Sequence, residues 1–246
     1  MKNLGLVSIS FRELSPERIL EETKKAGLSF VEWGSDVHAP SDNTEKLAEL
    51  VRLQHKYGIS CCSYGTYFRL GVNNTEELQK YIDAAKLLGT DILRLWCGNK
   101  ASEEYSPEEE GLLFEECKKA ALIAEKNGVT ICMECHNGTY TDSKDAAIKL
   151  MKTVDSPAFR MYWQPNQFLS TEENLKYARL LSSFTKVIHV FNWTQDERYP
   201  LSEAKALWKE YLSYFNKNQT LLLEFMPDDS INSLKAEAES LREITE

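Results

Sequence analysis

The sequence predicts an α/β fold, a single (β/α)8 barrel over residues 1–246, and three observations lead there. Apolar runs rich in branched residues alternate eight times with amphipathic stretches, the pattern of repeated βα units around a parallel sheet. The length of 246 residues is close to the roughly 250 typical of one such barrel. No linker, low-complexity tract or break in composition interrupts the cycles. A doubly wound open sheet would want a glycine-rich phosphate turn after its first strand, and Ser10-Phe11-Arg12-Glu13 is not one.

The strands expected in order are Leu4–Phe11, Phe30–Gly34, Ile59–Tyr64, Ile92–Cys97, Thr130–Cys135, Arg160–Gln164, Lys186–Asn192 and Thr220–Phe225. A helix follows each, opened by an N-capping side chain or a first-turn proline at Ser15-Pro16, Ser41-Asp42, Asn74-Thr75, Ser106-Pro107, Asp142-Ser143, Ser170-Thr171, Ser202 and Asp229-Ser230. Gly27, Gly58, Gly89 and Gly128 stop four of them.

Composition excludes several classes. A formal charge of −9 argues against nucleic acid, whose phosphates require clustered Lys and Arg. Met1–Phe11 has one Lys and no small-residue cleavage site, and no apolar run approaches the roughly 20 residues of a membrane span, so a cytoplasmic location without a membrane partner is expected. The six cysteines fit neither a disulfide scaffold nor a zinc knuckle, and reduced core thiols are expected. Exposed apolar helix residues are compatible with a homodimer.

Chemistry on such barrels is built at the carboxyl ends of the strands. Glu134, Gln164, His189 and Glu224 top four consecutive strands there. Residues two apart share a strand face, so Glu134 and His136 point one way with Cys132 beneath, while Met133 and Cys135 face the helices. Carboxylates on barrel strands are costly to bury unless paired or bound to metal. An oxygen-rich set with one imidazole suits Mn²⁺ or Mg²⁺, with Zn²⁺ or Co²⁺ as further choices. Lower in the barrel, Glu32 and Arg94 share parity and are expected to form an ion pair. Phe11, Trp33, Tyr67, Trp96, Trp163 and Trp193 near the strand tops would wall a sugar site, and His38 and Asn166 lie within reach of the mouth.

Ile131-Cys132-Met133-Glu134-Cys135-His136-Asn137-Gly138, Val187-Ile188-His189-Val190-Phe191-Asn192 and Leu222-Leu223-Glu224 resemble the xylose-isomerase-like TIM barrels, which include ketose 3-epimerases and sugar isomerases. The resemblance covers nearly the whole length. It implies that Glu134 and Glu224 bind the metal and exchange a proton with the substrate carbon, and that His189 is a ligand. It implies a substrate contact from Arg198, after the seventh strand, and His136, on the Glu134 face, is placed to hydrogen-bond a substrate hydroxyl or the developing enolate oxygen. The family's sixth strand normally contributes an aspartate, but Gln164 stands here, reducing the ligand charge from three negatives to two.

The function expected is a metal-dependent isomerase or epimerase moving a proton between two glutamates on a small carbohydrate or cyclitol. The alternative is a carbohydrate-binding or sensing protein on a barrel that has lost its metal. No lysine at a strand's carboxyl end offers a Schiff-base nucleophile. The turns after strands seven and eight lack glycine and carry acids, so an unphosphorylated substrate is expected. Four histidines are too few for the related endonucleases with three zinc ions.

Overall fold

The computed structural model describes residues 3–246. Eight parallel strands close into a barrel in chain order: β1 (Asn3–Val7), β2 (Phe30–Gly34), β3 (Ser60–Leu70), β4 (Ile92–Cys97), β5 (Thr130–Glu134), β6 (Phe159–Trp163), β7 (Thr185–Val190) and β8 (Thr220–Leu223). Closure comes from β8 pairing with β1, Leu4 opposite Leu221 and Leu6 opposite Leu223. The helices are α1 (Pro16–Lys25), α2 (Thr44–Tyr57), α3 (Leu78–Leu88), α4 (Pro107–Asn127), α5 (Lys144–Val154), α6 (Thr171–Leu181), α7 (Lys205–Ser213) and α8 (Leu234–Thr245). No helix among the described residues is long and apolar enough to cross a membrane.

Local chemistry explains the boundaries. Ser15, Ser106, Ser143 and Ser170 accept backbone N–H groups of the first helical turn, and Ser106 forms a reciprocal capping box with Glu109. Asn43, rather than Ser41-Asp42, caps α2. Short 3-10 turns precede α3, α7 and α8, so these helices begin a few residues later than their caps suggest.

The strand ends also differ from expectation. β1 stops at Val7, and Ser8–Phe11 coils into a 3-10 turn because the hydroxyls of Ser8 and Ser10 accept the backbone N–H groups of Gly34 and Phe225. β3 runs on to Leu70 through a register shift between Gly65 and Arg69, inside which Tyr67 takes a left-handed backbone (φ 56°). Gln164 and Glu224 each lie one residue beyond their strands.

Two apolar clusters follow from strand alternation. Val7, Cys132, Tyr162, Val187 and Leu222 fill the barrel interior, while a larger cluster packs the outer strand faces against the helices. Cys132 is inside, and Met133 and Cys135 are in the outer layer, as the parity argument expects. All six cysteines are free. Trp33 corrects the expectation of a substrate wall. It flanks the inward Glu32, so it faces the helices, fully buried, with its indole N–H donating to Gln54 Oε1 at 2.9 Å. Trp163 likewise points outward into Trp208, Tyr211 and Phe215, and Phe11 joins the same layer.

His38 is corrected too. It is buried behind the β2 loop instead of reaching the mouth, edge-on to Trp33 at 5.9 Å. Its Nε2 lies 3.3 Å from the Leu14 carbonyl, which can only accept, so Nδ1 accepts from the Ser8 hydroxyl at 3.1 Å.

Two predictions follow from this packing. A Cβ on Gly5 would sit 2.5 Å from the Phe30 carbonyl oxygen and 2.7 Å from Leu222 Cδ2, and backbone cannot yield as a side chain does. Gly5→Ala should therefore cost about 1–3 kcal/mol, read as a lower urea midpoint at unchanged slope. Burial pushes His38 below its ordinary 6.5, against the hydrogen bond to Leu14. The stability this histidine contributes is present above the unfolded value and is lost as pH falls below it. His38→Gln should flatten the dependence of stability on pH between about 7 and 5, and an unchanged slope would refute the neutral buried imidazole.

Candidate active site

The carboxyl ends of β5 to β8 bring four side chains to one point. His189 Nδ1 lies 2.8 Å from Gln164 Oε1, 3.4 Å from Glu224 Oε2 and 3.5 Å from Glu134 Oε1. All four residues are buried, at 7% exposure or less. One donor atom each from Glu134, His189 and Glu224 falls within 4.8 Å of the others. Ligand atoms held about 2.0–2.2 Å from a divalent ion lie about 3.0–3.5 Å apart, so the spacing suits a coordination shell. The amide oxygen of Gln164, not its NH₂, faces this point.

Beneath the four lies a buried ion network. Glu32 accepts from Arg94 Nε at 2.9 Å, from the Ser63 hydroxyl at 2.8 Å and from the Tyr162 hydroxyl. Arg94 reaches up through Nη1 to Glu134 Oε2, which also accepts the Trp96 indole N–H. The pair expected from parity is thus present and extends to the proposed ligand. Gly65 makes room for it, since a Cβ there would stand 2.7 Å from Arg94 Nη2 and 2.9 Å from Glu32 Oε1. His189 Nε2 has no hydrogen-bond partner and points towards Glu32 Oε1, 3.8 Å away. A carboxylate that hydrogen-bonds a histidine's second nitrogen orients a metal-ligating imidazole, and Glu32 stands just beyond that distance.

Charge balance supports the same reading. With His189 neutral, Glu32, Glu134 and Glu224 against Arg94 leave two negative charges in a buried cluster, the complement of one divalent cation. Burial works against the charge on Glu32, yet Arg94 and His189 hold its carboxyl at about 2. They likewise overcome burial at Glu134, which stays well below the usual range. Burial and the neighbouring Glu134 charge push Glu224 up. Burial would lower His189, but Glu224, Glu134 and Glu32 together raise it to about 10. The anionic cluster calls for positive charge beside Nδ1, which a proton or a divalent ion can supply alternatively.

Above these groups opens a cavity of about 330 Å³ lined by Trp96, His136, Asn166, Tyr67, Trp193 and Arg12 among others. His136 Nδ1 donates to the Asn137 carbonyl at 2.6 Å, leaving Nε2 as an acceptor. Asn166 is tied by its side chain to Asn137 Oδ1 at 2.6 Å. Arg198 lies outside the residues that line the cavity. Its guanidinium pairs with Asp229 and lies over Trp193 and Phe225, 5.0 and 4.7 Å from the ring centres. Phe225 and Arg12 were not singled out in the sequence. Alternation would turn Phe225 away from Glu224, but its left-handed backbone (φ 51°) brings the ring to the cavity. The signal for Arg12 was only its place after β1. A larger groove of about 440 Å³, lined by Lys209, Gln219 and Ile244 among others, lies at the opposite end of the barrel, without a buried titratable cluster.

Solved structures share the architecture at low identity. A probable 3-DHS dehydratase, AsbF, from Bacillus anthracis superposes with TM-score 0.81 at 16% identity, over 98% of this chain and 99% of that one. The IOLI protein with a binding zinc atom gives 0.80 at 14% identity, over 100% and 98%. L-ribulose 3-epimerase gives 0.76 at 14%, over 100% and 94%. No curated protein matches the sequence. The family model of the xylose isomerase-like TIM barrel matches residues 20–244, and the chain belongs to that family.

Proposed function

We propose that this protein is a metal-dependent isomerase or epimerase that moves a proton at a carbon beside a carbonyl in an unphosphorylated sugar or cyclitol. The observation that carries the reading is the meeting of Glu134 Oε1, Gln164 Oε1, His189 Nδ1 and Glu224 Oε2 at ligand spacing over a charge-compensating base. These four residues would hold the ion. When bound, a divalent metal, Mn²⁺ or Mg²⁺ before Zn²⁺ or Co²⁺ for this donor set, polarises a carbonyl and makes the adjacent C–H acidic.

The remaining work belongs to the chain. The carboxylates of Glu134 and Glu224 are the proton-moving groups available beside the metal point. His136 Nε2 can accept from a substrate hydroxyl, and Trp96, Tyr67, Trp193 and Phe225 wall the cavity, giving apolar faces for a sugar and excluding water. The turn after β8 carries Asp228 and Asp229, which disfavours a phosphate there. L-ribulose 3-epimerase and D-psicose 3-epimerase from Clostridium cellulolyticum H10 lie among the neighbours on the same scaffold, which agrees with this class. A metal-free carbohydrate-binding barrel is the second reading, favoured by the neutral Gln164 and by the Arg94 contact to Glu134.

Elemental analysis of chelator-free protein should find about one equivalent of divalent metal, lost in Glu224→Gln. No metal, and no uptake from millimolar Mn²⁺, would favour the second reading. Gln164→Glu keeps the ligand oxygen and adds a negative charge, so it should tighten Mn²⁺ binding about tenfold or more by calorimetry, ~1.4 kcal/mol. Unchanged affinity would place Gln164 outside the shell. With metal established, solvent deuterium entering ketoses or ketocyclitols beside the carbonyl tests the chemistry, and water loss without exchange into an isomer would redirect it to a dehydratase.

A further inference from the structure

We infer that Tyr67 selects the substrate: its hydroxyl, aimed by Arg12 and Asp36, donates a hydrogen bond to a sugar or cyclitol oxygen remote from the metal point. This rests on the metal-dependent carbohydrate reading and adds to it a contact that decides which polyols bind. The phenol oxygen of Tyr67 accepts from Arg12 Nη2 at 2.7 Å. A guanidinium can only donate, so the hydroxyl's own hydrogen must go elsewhere, and no acceptor meets it among the described residues. Tyr64, Tyr140, Tyr162 and Tyr177, the tyrosines most removed from water, each donate to a protein oxygen. Tyr67 is set apart from them: half-buried, lining the cavity, with one lone pair occupied and its hydrogen open. Burial pushes its phenol up despite the neighbouring Arg94 and Arg12 charges, so the hydrogen is retained at neutral pH.

The backbone is built to hold the ring there. Tyr67 sits at φ 56°, a left-handed conformation unfavourable for a residue with a Cβ, inside the register shift between Gly65 and Arg69. The neighbouring Thr66 hydroxyl donates to the Arg94 carbonyl at 2.8 Å and accepts the Phe68 N–H at 3.1 Å, and the Thr66 carbonyl accepts the Ser35 hydroxyl at 2.8 Å. Trp96 meets the Tyr67 ring edge-on at 5.2 Å, and the Arg94 guanidinium carbon lies 5.6 Å from its centre. At the other end Arg12 Nη1 pairs with Asp36, so the guanidinium that fixes the phenol oxygen is itself tethered. The Arg12 side chain is 39% exposed and that of Glu134 3%, so the hydroxyl faces the rim while the ring stands beside Trp96, the donor to Glu134. The oxygen it meets therefore belongs to the part of the substrate away from the reacting carbon, where it sets specificity.

Two hydroxamates, measured by calorimetry on the Mn²⁺-loaded full-length chain, separate this contact from the metal. Acetohydroxamate offers its two chelating oxygens to the ion and nothing beyond them. Threonohydroxamate, in its D or L form, offers the same pair and adds a polyhydroxylated chain, so the better-fitting form should bind the wild type more tightly than acetohydroxamate. Tyr67→Phe keeps the ring and should weaken that threonohydroxamate about three- to tenfold, while Mn²⁺ and acetohydroxamate affinities stay as in the wild type. Arg12→Met should cost no more than this, and the double variant no more than Tyr67→Phe alone, because a positioning residue acts through the hydroxyl it aims. Unchanged threonohydroxamate affinity in Tyr67→Phe overturns the inference, as does an equal loss for acetohydroxamate. Additive losses in the double variant overturn the aiming by Arg12. A Mn²⁺-loaded wild type without preference for threonohydroxamate overturns the carbohydrate reading, and one that binds no Mn²⁺ overturns the metal-dependent reading; the inference falls with either.

Discussion

The buried contact between Glu32 and Arg94 is the constraint on which the upper barrel depends. Both are almost wholly removed from water, and a charge left alone at that depth typically costs about 3–5 kcal/mol. Each must be where the other is. Glu32 rises from β2 and Arg94 from β4, so the pair spans β3, where the backbone narrows to Gly65 to let them meet. From this base the guanidinium reaches one ligand, Glu134, and the carboxylate faces the back of another, His189. The geometry of the mouth is thus inherited from an interaction one layer below it.

Much of this was legible in the sequence because the period-2 alternation of strands is simple. It assigned Glu134 and His136 to one face, placed Cys132 in the interior with Met133 and Cys135 outside, and paired Glu32 with Arg94. Trp33 and Trp163 were misplaced because richness in aromatics was allowed to outweigh that alternation: each neighbours an inward or mouth-facing polar residue and so looks the other way. The partners of Arg198, Asp229 and the rings of Trp193 and Phe225, come from turns whose backbone no pattern reveals.

Backbone conformation, rather than residue type, hid the rest. Tyr67, Phe225 and Asp229 adopt left-handed φ angles that side chains with a Cβ seldom take, and Tyr67 and Phe225 line the cavity. Such strain persists only where surrounding contacts hold it, and here they do: Tyr67 accepts from Arg12 at 2.7 Å, while Phe225 donates its N–H to Ser10. Tyr67 stands among the aromatics that the sequence places near the strand tops, whereas nothing in the sequence around Phe225 tells that its ring is turned inward.

Phe225 immediately follows Glu224, and its ring is 5.3 Å from that of Trp193, which stacks on Phe191 at 4.1 Å. The aromatic rim and the carboxylate therefore share one peptide link, and the same left-handed residue that turns the Phe225 ring into the cavity sets the path of the chain as it leaves Glu224, so wall and acid are laid down by a single bend in the backbone.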